Sequence, residues 1–243
     1  MVNNLRIMIY NVEHFSGIGK GYYQFITKFW RYIFPCKEVI LELGRLIQEL
    51  DPDLIFLVEV KKAVVGETFE HINKILKYPH HFFFTKYEHI LSNVPIVRGN
   101  GCAVFSKHEM INRKKEYFKN GFTKKAFIKF DIQDKTFFVL HLPLGIKTRD
   151  EDLHELIKYV EESEKEVVIL GDFNTFNGRI ETHDLVQKCG LINANALHRK
   201  TYPSWNPKRE FDYVLLSKKI HVKNFNVCET NLSDHLPLIV EID

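Results

Sequence analysis

The 243-residue chain lacks the features of a disulfide-stapled, zinc-binding or membrane-spanning protein. Its four cysteines, Cys36, Cys102, Cys189 and Cys228, stand far apart with no paired spacing. That argues against a zinc site and a disulfide framework, and suits a reducing compartment. No apolar run approaches the ~20 residues that span a bilayer. Polar Asn3 and Asn4 precede the first apolar run, with no signal-peptide or lipidation pattern, so a cytoplasmic protein is the default. Gly/Ser-rich linkers, repeats and low-complexity tracts are missing too, which leaves one domain over 1–243 as the simplest account. Charge of one sign is also scarce. A net +3 permits a nucleic-acid partner without requiring one. What the chain does have is apolar material for a sizeable core, with 20 Phe and 10 Tyr making it aromatic-rich.

Apolar periodicity divides the chain into strands and helices. Leu5–Tyr10 and Leu54–Val58 read as strands. Between them Val39, Ile40, Leu43, Leu46, Ile47 and Leu50 share one face of a helix over 37–50, which Asp51-Pro52-Asp53 stops. A helix is expected over 68–76 and strands over 81–85 and 102–106. Residues 125–132 and 136–142 suggest a hairpin that turns at Gln133-Asp134-Lys135. An amphipathic helix over 151–162 turns Leu153, Leu156, Ile157 and Val160 inward. Four aliphatics, Val167 to Leu170, follow as a strand buried on both faces. A short helix near 182–188 and strands over 211–217, 220–227 and 236–242 complete the chain. Helices alternate with strands, but hairpins occur as well. The pattern fits an α/β chain with mixed sheets and helices outside, not a purely parallel barrel.

Polar residues gather where apolar runs end. They are Asn11 and Glu13, Glu59, His141, Asp172 and Asn174, Asp212, then Asp234 and His235. Gly171-Asp172-Phe173-Asn174 alone reads more readily as a plain turn. A buried lone carboxylate costs several kcal/mol unless it is paired or binds a metal. Several of them at strand ends point to a shared site. Carboxylates and an amide oxygen, with few thiols, suit a hard cation such as Mg²⁺, with Mn²⁺ as a substitute. Histidines beside carboxylates suit general acid–base work. The mixture fits metal-assisted attack of water on phosphorus.

The motifs Tyr10-Asn11-Val12-Glu13, Val58-Glu59-Val60, His141-Leu142-Pro143, Gly171-Asp172-Phe173-Asn174, Phe211-Asp212-Tyr213 and Ser233-Asp234-His235-Leu236-Pro237 span almost the whole chain. In this order they resemble the endonuclease/exonuclease/phosphatase superfamily. The resemblance implies a four-layer sandwich, two mixed sheets face to face with helices outside and the site at one end. It implies Glu59 as the main Mg²⁺ ligand, supported by Asn11 and Asp234. It assigns His235 to the attacking water and Asp212 to holding its ring. Asp172 would transfer a proton at the attacking or leaving oxygen, Asn174 would bond a phosphate oxygen, and His141 would stabilise developing charge. Glu13 stands where abasic-site enzymes of the family carry Asp, and His141 where they usually carry Tyr. Abasic-site repair is disfavoured accordingly.

The expected activity is phosphodiester hydrolysis of a nuclease-like kind by a monomer. A phosphatase, a lipid phosphodiesterase and a non-catalytic binding protein are the alternatives. Four further residues are candidate substrate contacts: Arg98 and Asn100 in a loop before a strand, Arg149 at a helix start, and Trp205 in the aromatic and basic loop 202–209. Each has a plain structural alternative, a turn, a surface arginine or loop packing. Residues 17–35 hold seven aromatics among basic residues. Tyr22, Phe25, Ile26, Phe29 and Ile33 could form one helical stripe, packed on the body or serving as a lid, a base-stacking surface or a membrane contact. His14, His183 and His198 read as surface or structural residues.

Overall fold

A computed structural model describes residues 4–27, 31, 36–61, 68–85, 100–120 and 125–243. Two six-stranded sheets form the centre. The first contains β1 (Leu5–Asn11), β2 (Leu54–Lys61), β3 (His80–Thr85), β4 (Asn100–Ser106), β11 (Val222–Val227) and β12 (Leu238–Ile242), in the order β11-β12-β1-β2-β4-β3. The second contains β5 (Ile111–Tyr117), β6 (Ala126–Ile132), β7 (Lys135–His141), β8 (Glu166–Asp172), β9 (Leu191–Asn193) and β10 (Asp212–Ser217), in the order β5-β6-β7-β8-β10-β9. Each sheet has one parallel pair, β1 with β2 and β7 with β8, among antiparallel neighbours. The mixed-sheet sandwich expected from the sequence is the fold observed.

Strand alternation sends side chains to two cores per sheet. Leu54, Phe56 and Val58 of β2 join Val139, Val168 and Leu170 between the sheets. Ile55 and Leu57 point the other way, toward Ile40, Leu43 and Ile47 of α2 (Lys37–Leu50). On the opposite outer face Phe138, Leu140 and Ile169 meet Leu153, Leu156 and Ile157 of α4 (Ile146–Glu161). With α3 (Thr68–Leu76) and α5 (His183–Lys188), the helices form the outer layers. Among the described residues no helix is long and apolar enough to cross a membrane.

Several expectations need correction. Two strands lie outside those expectations: β5, INRKKEY, is an exposed, charged edge strand, and β9, LIN, is apolar but only three residues long. Charged edges of this kind block unwanted strand pairing. The helix expected from residue 151 starts at Ile146. In the 17–35 segment the described helix is α1 (Tyr23–Thr27), and its inward residue is Gln24. Gln24 accepts a hydrogen bond from the Lys20 backbone N–H (3.1 Å), whereas Tyr22, Tyr23 and Ile26 are exposed. The expected inward stripe does not form there, and Phe29 and Ile33 lie outside the described residues.

Two residues connect this packing to measurable stability. A Cβ on Gly171 would stand 1.9 Å from the Leu140 carbonyl oxygen, on the rigid parallel neighbour β7. Gly171→Ala is therefore expected to destabilise the protein by about 2–4 kcal/mol in urea unfolding, as other overpacked core sites do. Asp152 of α4 is buried, which raises its pKa to about 7 despite the Asn120 amide and the Lys125 charge. The folded state then holds a proton that the unfolded chain releases near 3.8, so stability falls as pH rises from about 4 to 7. Asp152→Asn should flatten that slope, raising stability at pH 8 by about 1–2 kcal/mol and leaving it nearly unchanged at pH 4. Thermal melts across pH check this.

Candidate active site

The parallel pairs end at the same rim of the sandwich. β1 delivers Asn11, β2 delivers Glu59, β7 delivers His141 and β8 delivers Asp172. Antiparallel β10 begins there with Asp212, and the turn before β12 contributes Asp234 and His235. Sheet register places His141, Asp172 and Asp212 side by side across three strands. Asn11, Glu59, His141, Asp172, Asn174, Asp234 and His235 line one cleft of about 370 Å³, with Asp212 behind His235.

Local backbone devices aim these groups. Between Leu57 and Val60 strand β2 carries a bulge against β4, and Glu59 takes a left-handed φ of 58°. The extra residue swings Glu59 out of the strand alternation that buries its neighbours, toward the cleft. Asn11 Oδ1 accepts the Glu13 backbone N–H (3.0 Å), and Asp172 Oδ1 accepts that of Asn174 (3.0 Å). Both are Asx turns that close a strand end. Asn11 Nδ2 then donates to Asp172 Oδ2 (3.0 Å), joining the two sheets. Asn174 Nδ2 donates to the Leu142 carbonyl, and the Ser233 hydroxyl donates to that of Asn11 (2.7 Å).

Charge in the cleft is unbalanced. His235 Nδ1 donates to Asp212 Oδ2 (2.9 Å), which leaves Nε2 facing Asp172 Oδ2 at 4.0 Å. Burial opposes a charge on His235, but Asp212, Asp234 and Asp172 outweigh it and hold its pKa well above the ordinary value. Burial pushes Asp172 to about 7; Asp212 and Glu59 add to the rise, and His235 opposes it. Burial likewise raises Asp234 to about 6. His141 Nε2 lies 3.7 Å from Glu59 Oε1 and 3.6 Å from Asp172 Oδ2. Four carboxylates share this space with two imidazoles.

Such crowding suits a cation with oxygen ligands. Asp172, Asp212 and His235 offer ligand atoms within 4.8 Å of one another. Their closeness follows from the Asp212–His235 hydrogen bond, which already occupies the His235 Nδ1. Glu59, Asn11 and Asp234 bring further oxygens to the cleft lining, which contains no thiol.

The four candidate substrate contacts fare differently. Arg149 does not reach the cleft. Its guanidinium is fully buried, bonds Glu181 (2.6 Å) and caps the Pro143 and Leu144 carbonyls (2.9 and 2.8 Å). It anchors the loop after His141. Trp205 does not line the cleft either, and stands edge-on to Tyr22 at 5.0 Å. Its loop contributes Tyr202 and Arg209 instead. Asn100 opens β4 opposite Lys61 and is not among the cleft residues. Arg98 lies outside the described residues.

Sequence reading missed Lys125, Phe176 and Phe211 on the cleft walls, and His14, whose Nε2 is 3.8 Å from Glu59 Oε2. Phe176 and Phe211 flank motif residues, so proximity in sequence was an available signal. His14 follows Glu13 of the first motif and had the same signal, whereas Lys125 had none. Tyr202 stacks on Phe211 (4.9 Å) and packs against the His235 ring (5.0 Å), so aromatic rings flank the histidine.

A model of the Endonuclease/Exonuclease/phosphatase family matches residues 8–235. The chain belongs to this family. No curated protein sequence matches it. Solved structures of low identity share the fold. A family member from Beutenbergia cavernae is 17% identical with a TM-score of 0.73, over 98% of this chain and 71% of that one. The mannosyl-6-phosphatase Bt3783 of Bacteroides thetaiotaomicron is 16% identical with a TM-score of 0.70, over 98% and 99%. The human Nocturnin catalytic domain is 18% identical with a TM-score of 0.70, over 99% and 93%. Family enzymes are phosphoesterases that generally use divalent metals.

The anchoring role of Arg149 has a measurable consequence. Arg149→Ala strands Glu181 and two carbonyls, and should cost about 3–5 kcal/mol in chemical denaturation. A substrate contact at the surface would leave stability almost untouched.

Proposed function

We propose that the protein is a Mg²⁺-dependent phosphodiesterase of nuclease-like type, which cleaves a P–O bond by attack of water. The observation that carries this reading is the Asp212–His235 pair opening onto Asp172 in the cleft that also holds Glu59. Glu59, Asn11 and Asp234 would hold the cation. When bound, it supplies positive charge that polarises the phosphoryl group and favours hydroxide over water.

The chain's own residues handle protons and charge. Asp212 holds the His235 ring with Nδ1–H toward itself, so Nε2 points at the attacking water and takes its proton in the neutral form of the ring, which the positive charge of a bound cation would favour. The new P–O bond forms as the opposite one breaks. Asp172 gives its proton to the leaving oxygen as that bond breaks. Asn174 and His141 donate to the phosphoryl oxygens, where negative charge grows in the transition state. Lys125 on the wall attracts the anionic substrate. A cytoplasmic site of action belongs to the same proposal, and the four free cysteines are compatible with it.

Glu59→Ala and His235→Ala are each expected to lower kcat by at least about 10²–10⁴-fold, with circular dichroism unchanged. Bis-p-nitrophenyl phosphate should turn over with Mg²⁺ and stop with EDTA, and p-nitrophenyl phosphate should react poorly. Equal or faster monoester turnover would make the enzyme a phosphatase. Retained rates in either variant would overturn the site.

A further inference from the structure

Beside the catalytic cleft lies a second, smaller pocket of about 220 Å³, and the two share Phe176 and Arg209. Its walls carry Arg179, His198, Lys200, Lys208 and Arg209. The charges do not cancel. Glu210, the one acidic wall residue, is buried and spent on Arg179, through bonds of 2.9 and 2.7 Å. Arg179 also donates to the Asn195 carbonyl and lies 3.3 Å from His198 Nε2. Arg179 therefore builds the floor. Lys200, Lys208 and Arg209 are exposed and form no ion pair among the described residues. Arg209 stands over the faces of Phe176 (5.3 Å) and Phe211 (5.9 Å), which orients it at the boundary of the two pockets.

Three uncompensated cations around a small concavity form an anion site. It continues the cleft in which the proposed chemistry takes place. We infer that this pocket is a second phosphate subsite, which binds a phosphate group of the substrate beside the one being cleaved. The inference rests on the phosphodiesterase reading. It narrows the substrate class to diesters that carry an additional phosphate: a nucleic-acid strand with its neighbouring phosphate, or a headgroup with a phosphorylated ring. Lys200 and Lys208 are specificity residues, since they face this pocket and not the reacting atoms.

The test compares kcat/KM for a dinucleotide with and without a terminal phosphate, and for glycerophosphoinositol with and without a ring phosphate, each with Mg²⁺. The wild type should prefer the phosphorylated member of one pair by about tenfold or more, chiefly through KM. The pair that shows it identifies the source. In K200A/K208A that preference should fall to near one, and K200R/K208R should restore it. The second readout is inorganic phosphate binding in EDTA, by calorimetry, where the carboxylate-lined cleft repels the anion. Wild-type binding should weaken at least fivefold in K200A/K208A. Loss of phosphate binding without turnover of any diester upholds the subsite and removes the catalytic reading. No preference in an active wild type, or a preference or phosphate affinity untouched in K200A/K208A, overturns the subsite.

Discussion

The hydrogen bond from Asn11 to Asp172 spans 161 residues of sequence and joins two separate sheets. It forms because Leu54, Phe56, Val58, Val139, Val168 and Leu170 pack the sheets face to face over a dry core. That core sets which strand ends share a rim. In each sheet the single parallel pair points both of its C-terminal ends at that rim. Apolar burial thus supplies the energy, and two polar side chains supply the alignment.

The rim concentrates negative charge in a place from which water is partly excluded. Burial and mutual repulsion raise Asp172 to about 7 and Asp234 to about 6. A fold that keeps so many carboxylates together gives up stability, and groups tuned this far from ordinary values are typical of working sites. The left-handed backbone at Glu59 belongs to the same pattern, since local strain persists where the surrounding sheet over-determines it.

Around this centre the molecule separates support from contact. Arg149 holds the carbonyls of the His141 loop from within, although an arginine at a helix start after the His141 motif suggests anion binding at first sight. Tyr202 and Phe211 wall one side of His235, while the exposed basic residues collect farther out, beyond Phe176. The cleft is acidic where the chemistry would occur, and basic where the rest of an anionic substrate would lie.

Most strands and helices were legible in the chain, because runs such as Val167–Leu170 and the one-faced helix over 37–50 bury apolar surface in patterns that survive folding. The strand-end polar residues were legible for the same reason, since each interrupts an apolar run at its tip. The edge strand β5 was not, because its pairing lies in the backbone and its side chains face water. The short helix at Tyr23–Thr27 was misread, because aromatic content marks potential burial and says nothing of which face finds a neighbour. By itself the sequence determined the element types, the mixed α/β class and the residue types available for chemistry. Only the tertiary structure decided that Arg149 turns inward, that Trp205 meets Tyr22, and that Arg209 joins two pockets. Side-chain partners that far apart in the chain are selected by packing, which no local pattern encodes.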